Sequence, residues 1–200
     1  MSRPTAGLFD LRGQIGFYAQ YHHNTWNKLI HIVCVPLLLW TPMIWLARTG
    51  AIAALPAGVQ SFAAGFGLNP VFDGAMVLAL FYGTYYAILE PVAGTVAAGI
   101  LLAGAYSATY VSFNVDNVIN LSIGLHVVCW IAQFIGHGVA EKRAPALFQS
   151  LFQSLVLAPL FVWLEVLFAF GYRKSLAKEI NIQAIKDIKT FRDSQKNKGK

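Results

Sequence analysis

Charge is what this sequence has least of. Charged side chains make up 12% of its 200 residues and hydrophobic ones 56%, against roughly 25% and 45–50% in an ordinary soluble domain. No Lys or Arg occurs between Arg48 and Lys142, and before Glu141 that stretch holds only the acids Asp73, Glu90 and Asp116. Such a deficit excludes a soluble globule and a nucleic-acid binder with a basic face. Two cysteines, Cys34 and Cys129, cannot staple a secreted module, and so apolar a chain is no disordered tail protein. No Lys-Ser or Lys-Thr follows glycine-rich pieces such as Gly99 to Gly104, so there is no phosphate loop, and no serine nucleophile elbow is present. A fixed-period repeat is also lacking, which sets aside a solenoid. Arg3, Asp10, Arg12 and Gln14 interrupt the region where the apolar core of a signal peptide would lie, so the first span is expected to serve as the anchor.

What is present is long apolar sequence. A bilayer core needs on the order of 20 apolar residues as helix, because lipid leaves no unpaired backbone group satisfied. Leu29 to Ala47, Val71 to Leu89, Val92 to Phe113 and Val118 to Gly136 meet this requirement. Ala51 to Leu68 is apolar too, but Pro56, Gly58, Gly65 and Gly67 interrupt it, which suggests a re-entrant or surface-lying connection. The expected fold class is therefore all-α, a polytopic membrane protein of about four transmembrane helices.

Basic residues sit at Arg3, Arg12 and Lys28, at Lys142 and Arg143, and throughout the tail from Arg173, with Arg48 the one exception. Positive residues mark the cytosolic side, so both termini should face the cytosol. Leu147 to Phe170 then has cytosolic flanks at both ends and cannot cross once. With Pro159 near its middle and Glu165 costly at mid-membrane, it reads as a re-entrant helical hairpin with Pro159 at the tip. A pair of short spans, or a fifth full span, is the alternative. Residues 1–172 are expected to form a membrane-embedded catalytic domain and 173–200 a basic cytosolic tail. Beyond Gly171 the chain carries nine Lys or Arg against Glu179, Asp187 and Asp193, which is the whole formal excess of +6. Ile182, Ile185 and Ile188 fit one face of an amphipathic helix on membrane lipids; a solvated tail fits equally well.

Ionisable residues at membrane depth are functional candidates by default. His22, His23 and His31 frame the entry of the first span, and His126 and His137 lie in the fourth. In this topology His31 and His137 come to the same depth. Two or three imidazoles with a carboxylate form the ligand set of a non-heme iron site, and Glu141 lies four residues beyond His137. Helix geometry constrains the set: eleven residues separate His126 from His137, close to one azimuth but roughly 16 Å along the axis. Either Gly136 and Gly138 break the helix and redirect His137, or two metals are involved, or His126 supports the site indirectly. His22 must likewise arrive from a non-helical turn, since a helix would hold it about 13 Å from His31. Asn27 and Gln133 suit a role in orienting imidazoles, or simply bond across helices. The cysteines read as packing residues.

These same residues resemble a known family. Phe17-Tyr18, Tyr21-His22-His23-Asn24 and Asn27-Lys28-Leu29-Ile30-His31, ending at Val35-Pro36, resemble the N-terminal signature of the yeast-type 2-hydroxy fatty acid dioxygenases. Trp130 to Gly138, Glu141 to Leu147 and Gln153 to Pro159 resemble its second block. The resemblance runs from about Leu8 to about Tyr172. It implies an endoplasmic-reticulum membrane enzyme that uses Fe(2+) and O2 to shorten a 2-hydroxy fatty acid by one carbon with release of CO2, in phytosphingosine breakdown. It also implies metal binding by His22, His31 and His137, with His126 less securely placed, and a catalytic part for Glu141. Lys142 or Arg143 would suit the substrate carboxylate, or simply mark the cytosolic side. The competing class is a non-enzymatic lipid-binding scaffold, which predicts no bound iron.

Overall fold

A computed structural model describes residues 7–141, 144 and 150–198. Among the described residues eight α-helices follow in chain order: α1 (Leu11–Ala19), α2 (Thr25–Ala47), α3 (Ala57–Ala64), α4 (Gly74–Leu89), α5 (Pro91–Asn114), α6 (Val118–Ile135), α7 (Ala158–Ala169) and α8 (Lys174–Lys198). The described π-helical stretches Gly136–Glu141 and Gln153–Leu157 extend α6 and precede α7. Among the described residues the β content is a single bridge between Ala53 and Phe72. The all-α expectation holds.

Among the described residues three helical runs are long and apolar enough to cross a bilayer: Thr25–Ala47, Pro91–Asn114 and Val118–Glu141. The stretch expected as a second span forms a helix of only 16 residues, α4, because Asp73 caps its start by accepting the Met76 N–H at 3.0 Å. α3, within the interrupted stretch, has 8 residues and is too short to span. Val92, Val96 and Ile100 on α5 and Leu121, Val127 and Val128 on α6 are exposed, as lipid-facing surfaces are.

The turn expected at Pro159 is absent. The chain stays helical from Gln153 to Ala169, with Pro159 where the π-helical winding gives way to α7, so the change of winding and not a reversal of the chain accommodates it. Direction changes instead by 114° between Gln153–Ala169 and the helix beginning at Lys174, so this pair is either one broken span or a re-entrant loop. Gly171 makes the bend. Its φ is +90°, its N–H donates to the Phe168 carbonyl at 3.0 Å, and the Tyr172 N–H donates to Leu167 at 2.9 Å. That is a Schellman closure, which favours glycine at this position. Residues 147–149 lie outside the described residues.

The backbone forms two compact units, Met1–Val35 with Ile131–Lys200, and Pro36–Trp130. The second has a core of Met43, Ile44, Ala47, Ala75, Ala79, Ala105, Ala108 and Val118. Small residues bring α4 and α5 together: a Cβ on Gly83 would stand 2.9 Å from the Ala98 Cβ, and one on Gly94 would overlap the Tyr86 carbonyl. Polar groups here are paired internally, Trp45 Nε1 to Ser122 at 2.7 Å and Thr109 to Asp73 at 2.7 Å.

In the first unit Ile15 and Tyr18 of α1, with Leu160, Phe161 and Leu164 of α7, are buried. Lys28 pairs with Glu165 at 2.9 Å, which explains how an acid is tolerated within an apolar helix. The basic tail is helical as α8 and packs on α1. Its buried stripe is Leu176, Ile180 and Ala184, and Arg12 pairs with Glu179 at 2.7 Å. Ile182 and Ile185 point away from that stripe and are exposed.

Candidate metal centre

The site is built where α1 ends, α2 begins and α6 changes its winding. α1 stops at Ala19, and residues 20–24 run without helix before Thr25. His22 thus enters from a non-helical turn. His31 lies on α2, and His137 is the second residue of the π-helical stretch Gly136–Glu141, which redirects the chain at the end of α6.

All three imidazoles are buried, at 6% exposure for His22, 3% for His31 and 4% for His137. One ring nitrogen from each lies within 4.8 Å of the other two. The ring centroids are 4.4 Å apart for His22 and His31, 4.8 Å for His22 and His137, and 4.9 Å for His31 and His137. Each pair is near perpendicular, at 77°, 74° and 83°. Rings so arranged converge edge-on instead of stacking, as ligands around one centre do.

Two of the three are oriented by backbone four residues earlier. His22 Nδ1 donates to the Tyr18 carbonyl and His31 Nδ1 to the Asn27 carbonyl, each at 2.9 Å. A proton held on Nδ1 leaves a lone pair on Nε2, the form in which imidazole binds metal. The Tyr18 carbonyl lies in the last turn of α1, where it accepts the Tyr21 N–H at 3.0 Å and has a second lone pair for the imidazole. Tyr18 also stacks on His22, ring centroids 3.9 Å apart and 11° from parallel. His137 differs: its Nδ1 is buried with no hydrogen-bond partner. An orphaned buried nitrogen is costly, and three imidazoles with free lone pairs in an apolar shell fit a divalent transition metal. Burial, with His31 and His137 alongside, pushes the His22 pKa well below its ordinary value. A His22 so placed stays neutral, the form in which imidazole binds metal.

The other expected residues lie elsewhere. His126 belongs to the second unit and is not in the cluster. Its Nε2 accepts from Trp130 Nε1 at 3.0 Å and its Nδ1 lies 2.7 Å from the Thr41 hydroxyl, which itself donates to Leu37. Both ring nitrogens are spent, so no donor atom is left for a metal. Glu141 is likewise outside the cluster among the described residues. Its Oε1 accepts the backbone N–H groups of His23 at 2.7 Å and Asn24 at 2.6 Å, and Asn27 Nδ2 at 3.3 Å. Lys142 and Arg143 are outside the described residues.

Sequence reasoning missed Tyr18, although it stands four residues before His22, as Asn27 stands four before His31. It also left Asn27 undecided. Asn27 is fully buried; its Nδ2 donates to the Tyr21 carbonyl at 3.2 Å, and its Oδ1 stands 2.5 Å from where a Cβ on Gly136 would be. Gln133, near His137, is buried with Nε2 unpaired.

Comparison with known proteins places the chain in a family. The pattern of the family described as "2-hydroxy-palmitic acid dioxygenase Mpo1-like" matches residues 8–170. A curated relative, the 2-hydroxy-palmitic acid dioxygenase of Saccharomyces cerevisiae, is 38% identical over 170 residues, covering 85% of this chain and 87% of the relative. No solved structure matches. The matched span contains the turn with His22, the α2 entry with His31 and the π-helical stretch with His137, and the chain belongs to the Mpo1-like family.

Proposed function

We propose that this chain is an Fe(II)- and O2-dependent dioxygenase that converts a 2-hydroxy fatty acid, such as 2-hydroxypalmitate, to the fatty acid one carbon shorter. The buried three-histidine cluster carries this reading, with the relative's printed activity as its chemical guide. The reaction balances without a further reductant. R–CH(OH)–COOH and O2 give R–COOH, CO2 and H2O: the bond between C1 and C2 breaks, C2 becomes the new carboxyl carbon, and O2 accepts all four electrons.

His22, His31 and His137 hold the iron, which supplies the redox chemistry that lets O2 react with the acid. Three imidazoles would hold the ion while the acid and O2 still have access to it. The neutral imidazoles add no charge that would compete with the acid for the cation. The apolar helices give the acyl chain a lipid-like path, so the polar end alone need reach the centre. A membrane position in the endoplasmic reticulum with cytosolic termini, and a place in sphingoid-base breakdown, complete the proposal.

The test is metal analysis of the detergent-purified protein together with O2 uptake on 2-hydroxypalmitate after anaerobic Fe(II) loading. We expect about one iron per chain and one O2 consumed per CO2 released, with palmitate inert. A folded protein that binds no metal and consumes no O2 would overturn the reading in favour of a lipid-binding scaffold.

A further inference from the structure

We propose that Glu141 is a positioning residue: with Asn27 it fastens the turn carrying His22 to the π-helical stretch carrying His137, and so sets the spacing of the three imidazoles without touching the metal. This rests on the reading that the cluster holds a metal.

Glu141 ends the Gly136–Glu141 stretch. Its Oε1 takes the two N–H groups just ahead of α2, on the residues immediately after His22, at 2.7 and 2.6 Å. Helix starts leave such donors unpaired and carry partial positive charge, so a carboxylate binds them as short, charge-assisted hydrogen bonds. One oxygen thus joins two segments more than a hundred residues apart in sequence. With three donors converging on it, that oxygen is committed to this junction.

Asn27 completes the joint by touching every segment that bears a ligand. Its side chain donates to Tyr21, the residue before His22, and to Glu141. Its carbonyl accepts His31 Nδ1, and its Oδ1 abuts Gly136, the residue before His137. The amide orientation is dictated: turned over, Oδ1 would face the Tyr21 carbonyl and the Glu141 carboxylate, both acceptors. A side chain at 136 would displace Oδ1, so glycine there follows from the joint as well.

The experiment is titration of the purified, metal-free protein with Co(II), reading affinity and the visible Co(II) spectrum, for the wild type, Glu141→Ala, Glu141→Gln and Gly136→Ala. Removing a group that orients ligands typically costs about 10–100-fold in metal affinity, and we expect that loss in Glu141→Ala. Glutamine keeps a carbonyl oxygen for the two N–H groups, so Glu141→Gln should recover most of the loss and show the wild-type spectrum. Gly136→Ala should weaken Co(II) binding through Asn27 with Glu141 intact, which carries the test if Glu141→Ala does not fold. Unchanged affinity in Glu141→Ala or Gly136→Ala would overturn the inference. So would an altered spectrum in Glu141→Gln, the mark of a lost oxygen ligand, or a Glu141→Gln as weak as Glu141→Ala. A wild type that binds no Co(II) would instead overturn the metal-site reading itself.

Discussion

His22, His31 and His126 differ in how their ring nitrogens are spent. His22 and His31 give one nitrogen to a backbone carbonyl and keep the other free. We expect His22→Ala, His31→Ala or His137→Ala to lose iron and turnover by more than the roughly 100-fold upper cost of losing a supporting group, with membrane insertion retained; iron per chain and O2 uptake measure it. His126 spends both nitrogens on Thr41 and Trp130. His126→Phe should therefore keep wild-type turnover per iron while lowering the thermal midpoint, since the lost bonds leave partners unpaired at about 1–3 kcal/mol. The three clustered histidines stood out in the sequence because imidazole is rare in so apolar a chain. Glu141's contacts were not, since its partners are main-chain N–H groups, which leave no residue-type signal. Nor were those of His126, because spacing along one helix says nothing of what Thr41 or Trp130 would take up.

At the scale of elements, composition found the apolar helices but misplaced the bend. Pro159 drew the expectation of a hairpin tip, yet the helix runs through it where π winding changes to α, and the bend lies at Gly171, whose position just after Ala169-Phe170 was a readable stop signal. We expect Gly171→Val to destabilise the bend by about 1 kcal/mol or more, because a β-branched residue is strained at positive φ. Its measure is the thermal midpoint alongside protease cleavage within residues 174–198. Ile180→Asp, which puts a charge in the stripe that packs on α1, should expose the same helix without affecting iron content. The π-helical stretch at Gly136–Glu141 had a sequence cue in Gly136 and Gly138, but a glycine pair marks only that regularity can fail, not how the chain rewinds.

For the whole molecule, a buried histidine held neutral links stability to pH. Unfolded, His22 takes up a proton as pH falls through about 6.5. Folded, with its pKa well below that, it does not. The unfolded state then binds more protons, so the metal-free protein should lose stability as pH drops below about 6.5 and regain it above. Unfolding midpoints between pH 7.5 and 5.5 check this, with His22→Asn expected to flatten part of the slope.

The two carbonyls that fix His22 and His31 belong to the main chain. No point substitution at Tyr18 or Asn27, short of one that reroutes the backbone, can delete those acceptors. The protonation pattern of the two imidazoles is in that sense heritable through the path of the chain, and tolerant of drift in the side chains that happen to occupy positions 18 and 27. Loss of metal in a variant at position 27 would then report the amide alone, which makes Asn27→Ala a clean way to separate what the side chain holds from what the backbone holds.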